Sequence, residues 1–150
     1  RARGTPREHD ARGIDERRQG LHPVVGLCAE PERVAASLSR AVPSLDRWGG
    51  LAQPVTISLL QSHDDLESAV HRSGFGWLRA WARYQTIDLQ SPRTWGWLGA
   101  SDREVEELLT HELTHCAMYQ AAATEWTWPH KGIPLWFREG MASVTAGTRR

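Results

Sequence analysis

"HELTHCAMYQ", residues His111 to Gln120, decides how the chain is read. It sets His111 and His115 four positions apart, with Glu112 directly after the first. On a helix that spacing stacks two side chains one above the other. Both imidazoles can then turn toward one ion at the ~2.0–2.1 Å zinc–nitrogen distance. Glu112 projects about 100° round from His111 and about 60° from His115. A carboxylate so placed can reach a water on the ion without ligating the ion itself. Two neutral nitrogen ligands and one proton-accepting carboxylate are what an HExxH motif supplies.

Outward from the motif, Ser101 with Glu104 three residues later forms a capping box, which predicts a helix running to about Ala122 or Ala123. Val105, Leu109, Leu113 and Cys116 make its apolar arc, with Leu108 and Tyr119 extending the arc on the side where the histidines lie. A ligand pair bordering a buried face is held rigidly beside a cleft. A tetrahedral zinc with one open corner wants a third protein ligand. His130, Glu125 and Glu139 follow within reach. The metzincin pattern HExxHxxGxxH is excluded, because Met118 and Ala121 occupy its Gly and His positions. "PLWFREGMASVTAG" predicts a last helix starting at Pro134. Within "IPLWFREGMAS" Glu139 is the stronger candidate, since a glutamate followed by Gly and Ala on the next helix can pack closely against the first.

HELTH followed by PLWFREGMA resembles the gluzincin metallopeptidases, in particular the peptidase MA-like domains with HExxH, a loop, then P-x-W-x-x-E-G-x-A. The likeness covers about a quarter of the chain at motif level, Glu104 to Ala146. It implies an α+β, zincin-like fold: a small mixed sheet with an edge strand, packed on an HExxH helix and a following glutamate helix. It also implies Zn2+ held by His111, His115 and Glu139, with Glu112 as general base and acid for hydrolysis of a peptide or protein substrate by metal-activated water. Relatives of this kind take a further Tyr or His from beyond the glutamate helix to stabilise the oxyanion, and the sequence ends eleven residues after Glu139. Tyr119 and His130 are the internal candidates for that role. A helical subdomain forming the far wall of the cleft is expected to be missing too. The rival reading is a zinc-binding, catalytically weak scaffold or recognition domain. Intact Glu112 argues against that rival, and the early chain end argues for it. A third possibility is metal-dependent hydrolysis of something other than a peptide.

Upstream, residues 1–20 are charged and almost free of aliphatic side chains, so a flexible arm is expected, with the zincin-like domain spanning 21–150. "LHPVVGLC" (Leu21 to Cys28) reads as a short strand, and Pro31 opens a helix carrying Val34, Leu38, Val42 and Leu45, kinked or divided at Pro43. "PVTISLL" (Pro54 to Leu60) reads as a buried strand, and Ser62 caps a short helix after it. "YQTIDLQ" (Tyr84 to Gln90) alternates like a half-exposed strand, the expected sheet edge, where an extended substrate could pair. The eight tryptophans are expected in the core and cleft wall, with Trp136 anchoring the last helix. His9, His22, His63 and His71 read as surface or capping residues, and Cys116 as a buried thiol rather than a fourth ligand.

With 150 residues, 18 basic and 18 acidic, one domain is the default and no net field draws the chain to nucleic acid or an anionic membrane. No apolar run is long enough to span a bilayer, and no leader follows Arg1, so a soluble piece of a longer precursor is expected. Cys28 and Cys116 form no CxxC pair. They leave the compartment open, an extracytoplasmic or secreted setting being the expectation.

Overall fold

The computed structural model describes residues 23–24 (backbone only), 30–128 and 132–147. The expected arm, Cys28 and His130 lie outside the described residues.

Local chemistry starts each helix. Pro31 opens α1 (Pro31–Ala41), which buries Val34, Leu38 and Ala41. At Pro43, which lacks an N–H and clashes with the preceding turn, the chain changes to a 3-10 helix, Val42–Trp48, ended by Gly49 at φ 92°. In α2 (His63–Val70) the Ser62 side chain accepts from the Asp65 N–H while the Asp65 side chain accepts from the Ser62 N–H. The same reciprocal box joins Ser101 and Glu104 at the start of α3 (Asp102–Ala122). Pro134 is the cap rather than the first residue of α4 (Leu135–Ala146), and Gly147 closes that helix at φ 72°.

The four strands are β1 (Pro23–Val24), β2 (Thr56–Leu60), β3 (Ala80–Ala82) and β4 (Thr86–Gln90), in the order β1-β2-β4-β3. β2 pairs in parallel with β1 and β4, whereas β3 runs antiparallel to β4. The fold is therefore α+β with a small mixed sheet.

This order corrects the expected edge. The Tyr84–Gln90 segment lies inside the sheet between β2 and β3, and its residues Ile87, Asp88, Leu89 and Gln90 are all buried. Its polar positions are buried because each has a partner. Asp88 pairs with Arg83 at 2.6 Å. Gln90 Oε1 lies 3.1 Å from His63 Nδ1, and Gln90 Nε2 donates to Thr94 Oγ1 at 2.9 Å. Alternation recorded polarity, which satisfied polar groups can carry into a core. Among the described residues the edge strands are β1 and the three-residue β3, the latter turned back into β4 through Arg83 N–H donating to Thr86 O at 2.7 Å.

One face of the sheet, Ile57, Leu59, Ala80, Ala82, Ile87 and Leu89, packs with α1 and α3 around Val34, Leu38, Val105, Leu109, Leu113 and Cys116. The other face is covered by α2, where Leu66 and Val70 meet Leu78, Leu60, Phe75 and Trp81. α4 buries Ala142 and Thr145 only, and Trp48 Nε1 donates to Thr145 Oγ1 at 2.8 Å. Gly140 makes no close approach: a Cβ there would meet open space.

The tryptophans depart from expectation. None of the eight is buried: Trp81, Trp95 and Trp128 are half-covered and the other five are exposed. Trp136, at 75 % exposure, does not anchor α4, and among the described residues its ring meets that of Phe137 beside it. The interior is filled instead by Leu, Ile, Val and Ala side chains with Tyr84, Met118 and Tyr119. Among the described residues no helix is long and apolar enough to cross a membrane.

Candidate metal centre

α3 is long and capped, so His111 and His115 keep the register their spacing promised. Their Nε2 atoms lie 3.2 Å apart, with the rings edge-on at 82°. α4 crosses α3 and delivers Glu139 to the same point. Its Oε2 is 3.3 Å from His111 Nε2 and its Oε1 is 3.5 Å from His115 Nε2. Ligand atoms ~2.0–2.1 Å from a tetrahedral ion lie about 3.3–3.4 Å from one another. The three separations therefore have the size a divalent metal would set. Among the described residues this trio is the group of His, Cys, Asp and Glu able to hold an ion.

The trio is graded in exposure. The His115 side chain is 9 % exposed, His111 21 % and Glu139 50 %, so the cluster is rooted in the core and opens to solvent on the α4 side. Burial first, then the neighbouring His111 and Arg138, push His115 down to about 3. It is therefore neutral near pH 7, the form a metal requires. Its other ring nitrogen, Nδ1, is buried without a hydrogen-bond partner. The hydrogen bond that commonly orients a ligand histidine is thus absent here among the described residues.

Glu112 stays out of the trio. Its Oε2 accepts from the Ala82 N–H at 3.0 Å, which turns the carboxyl toward β3. Burial pushes Glu112 up to about 8, with the Ala82 hydrogen bond opposing and the Glu139 charge adding to the rise. One turn on, Cys116 Sγ donates to Arg83 O at 3.1 Å. One further turn on, Gln120 Nε2 donates to Tyr84 O at 3.2 Å while its Oε1 accepts from the Gln53 N–H at 2.9 Å. Three residues at four-residue spacing thus hold the backbone of 82, 83 and 84 against α3. Cys116 is spent in this seam: burial holds its thiol protonated, and it serves as no fourth ligand.

Tyr119 stacks on His115 with ring centroids 6.1 Å apart and planes 13° from parallel, and Trp128 covers it from another side at 5.5 Å. Arg138 Nη1 donates to Tyr119 Oη at 3.3 Å. Burial raises the Tyr119 phenol above its ordinary range and Arg138 opposes that rise. Glu125, the rival third ligand, is exposed and stands apart from the trio.

Sequence reasoning found the trio and Glu112 but missed the Ala82 N–H, Gln120 and Arg138. Arg138 had one signal, its place immediately before Glu139. The Ala82 N–H had none, since a backbone donor leaves no mark in a sequence. The sequence matches no family model, no curated protein and no solved structure.

Proposed function

We propose that the chain is a zinc-dependent metallopeptidase of gluzincin type on a zincin-like fold, hydrolysing peptide bonds with Glu112 as general base. The observation that carries this reading is the convergence of His111 Nε2, His115 Nε2 and the Glu139 carboxylate from two helices at 3.2 to 3.5 Å. Zinc held there would act as a Lewis acid and acidify a bound water to a pKa of about 7.

The chain's own groups supply the rest. With a metal in the trio its charge would favour the ionised form of Glu112 over the protonated form that burial favours in the metal-free chain; Glu112 would then take a proton from the attacking water and return it to the leaving amine. Ala82 holds that carboxyl in place through its N–H. β3, which among the described residues pairs with one strand only, offers its free side ahead of Ala82, whose N–H is taken by Glu112, to an extended peptide by strand addition. The solvent-facing side at Glu139 is where the substrate enters.

The intact base separates this reading from a catalytically weak zinc scaffold, which would need no proton acceptor. Peptide cleavage that disappears in Glu112→Gln while bound zinc persists supports the enzyme. A wild-type chain that holds zinc yet leaves a broad peptide library uncut favours the scaffold.

A further inference from the structure

His115 is the most deeply set of the three ligand candidates. A ligand histidine is commonly oriented by a hydrogen bond at its second ring nitrogen, yet His115 Nδ1 is buried and meets no hydrogen-bond partner among the described residues. Without that bond only packing can fix the plane of the imidazole. The packing is Tyr119, four residues on and therefore on the same face of α3. Its ring lies 13° from parallel to the His115 ring with centroids 6.1 Å apart, within the range of offset-stacked aromatic pairs. Tyr119 is itself fixed twice. Arg138 Nη1 donates to its hydroxyl at 3.3 Å, and Trp128 covers its ring at 5.5 Å. Arg138 directly precedes Glu139 in α4. The ring that fixes one ligand is thus held by the residue beside another.

We propose that Tyr119 is a positioning residue of the metal centre: its ring holds the His115 imidazole at the angle that meets Glu139, and Arg138 straps that ring to α4. The stack does for His115 what a hydrogen bond at Nδ1 would otherwise do. The strap also joins the two helices where their ligands meet, so that α3 and α4 present His115 and Glu139 as one unit. This role rests on the metal-centre reading and not on peptide hydrolysis.

The test compares Tyr119→Phe, which keeps the ring and loses the Arg138 bond, with Tyr119→Met, whose flexible side chain fills the gap without a plane to stack. Zinc affinity of the full chain is measured by competition with a chelator, where circular dichroism shows each variant folded. Tyr119→Phe is expected to bind about three-fold more weakly than the wild type and Tyr119→Met about 10–100-fold more weakly, the usual cost of losing a ligand's outer partner. Visible absorption of bound Co2+, which reports ligand geometry, is expected to shift in the same order. Leu113→Ala, a fully buried α3 residue in the main core, controls for packing loss alone and is expected to keep wild-type affinity and spectrum. Wild-type affinity in either Tyr119 variant overturns the strap. So does a Leu113→Ala chain that loses zinc as Tyr119→Met does, since general loosening would then explain both. If Tyr119→Met does not fold, Tyr119→Phe decides alone: weaker zinc with a shifted Co2+ spectrum supports the strap, and wild-type values overturn it. A wild type that binds neither metal overturns the metal centre, and the strap with it. A wild type that binds both, beside Tyr119 variants that match it, overturns the strap alone.

Discussion

Glu112 and Ala82 are joined across the α3–β3 seam by a 3.0 Å hydrogen bond from backbone N–H to carboxyl oxygen. The proposed base is therefore oriented by the same strand that would align the substrate. Replacing Glu112 with Gln keeps an acceptor for that N–H while removing the proton-accepting oxygen. Peptidase activity should fall by roughly 10² to 10⁴ with zinc content unchanged. Loss of zinc in step with activity would instead make Glu112 a structural support of the trio.

The buried carboxyl also fixes a pH signature. Glu112 is pushed up to about 8 from an ordinary 4.5, so between those values the folded, metal-free chain holds a proton that the unfolded chain has released. Its contribution to stability thus declines as pH rises from the lower value to the upper. Urea titrations with a chelator present should show Glu112→Gln gaining on the wild type between pH 5 and pH 8, by on the order of a few kcal/mol. Parallel stability curves for the two proteins would contradict the burial assigned to this carboxyl.

Gln120 closes the seam at its far end, contacting the backbone at both Tyr84 and Gln53. Gln120→Ala leaves buried backbone groups unmatched, which costs about 1–3 kcal/mol. Chemical denaturation should show that loss while zinc stoichiometry holds. A variant as stable as the wild type would mean that the seam does not hold β3 in place.

The helices and their ends were legible because their causes are local. Ser101 with Glu104, Ser62 before α2 and Pro43 in the first helix act within four residues, and each behaves as its chemistry dictates. The HExxH spacing carried over to atomic separations for the same reason. The edge of the sheet was not legible, because position in a sheet is set by partners distant in sequence. β3 is only Ala-Trp-Ala, too short and too plain to announce a strand, while β4 looked like an edge through Asp88 and Gln90, whose partners hide them. Arginine and tryptophan positions were equally unreadable. Arg138 meets Tyr119 on another helix, and whether an indole lies inside or outside depends on neighbours distant in sequence.

That contrast is measurable. Trp136 is 75 % exposed and Leu113 fully buried, so Trp136→Ala should change stability by less than about 0.5 kcal/mol and Leu113→Ala should cost about 2–5 kcal/mol. Equal losses in thermal or urea unfolding would place Trp136 in the core after all.

The most direct test is metal stoichiometry by native mass spectrometry after equilibration with micromolar zinc. About one zinc per wild-type chain is expected, with marked loss in each of His111→Ala, His115→Ala and Glu139→Ala. A wild-type chain that takes up no zinc, or three variants that all retain it, would contradict the metal centre and everything built on it.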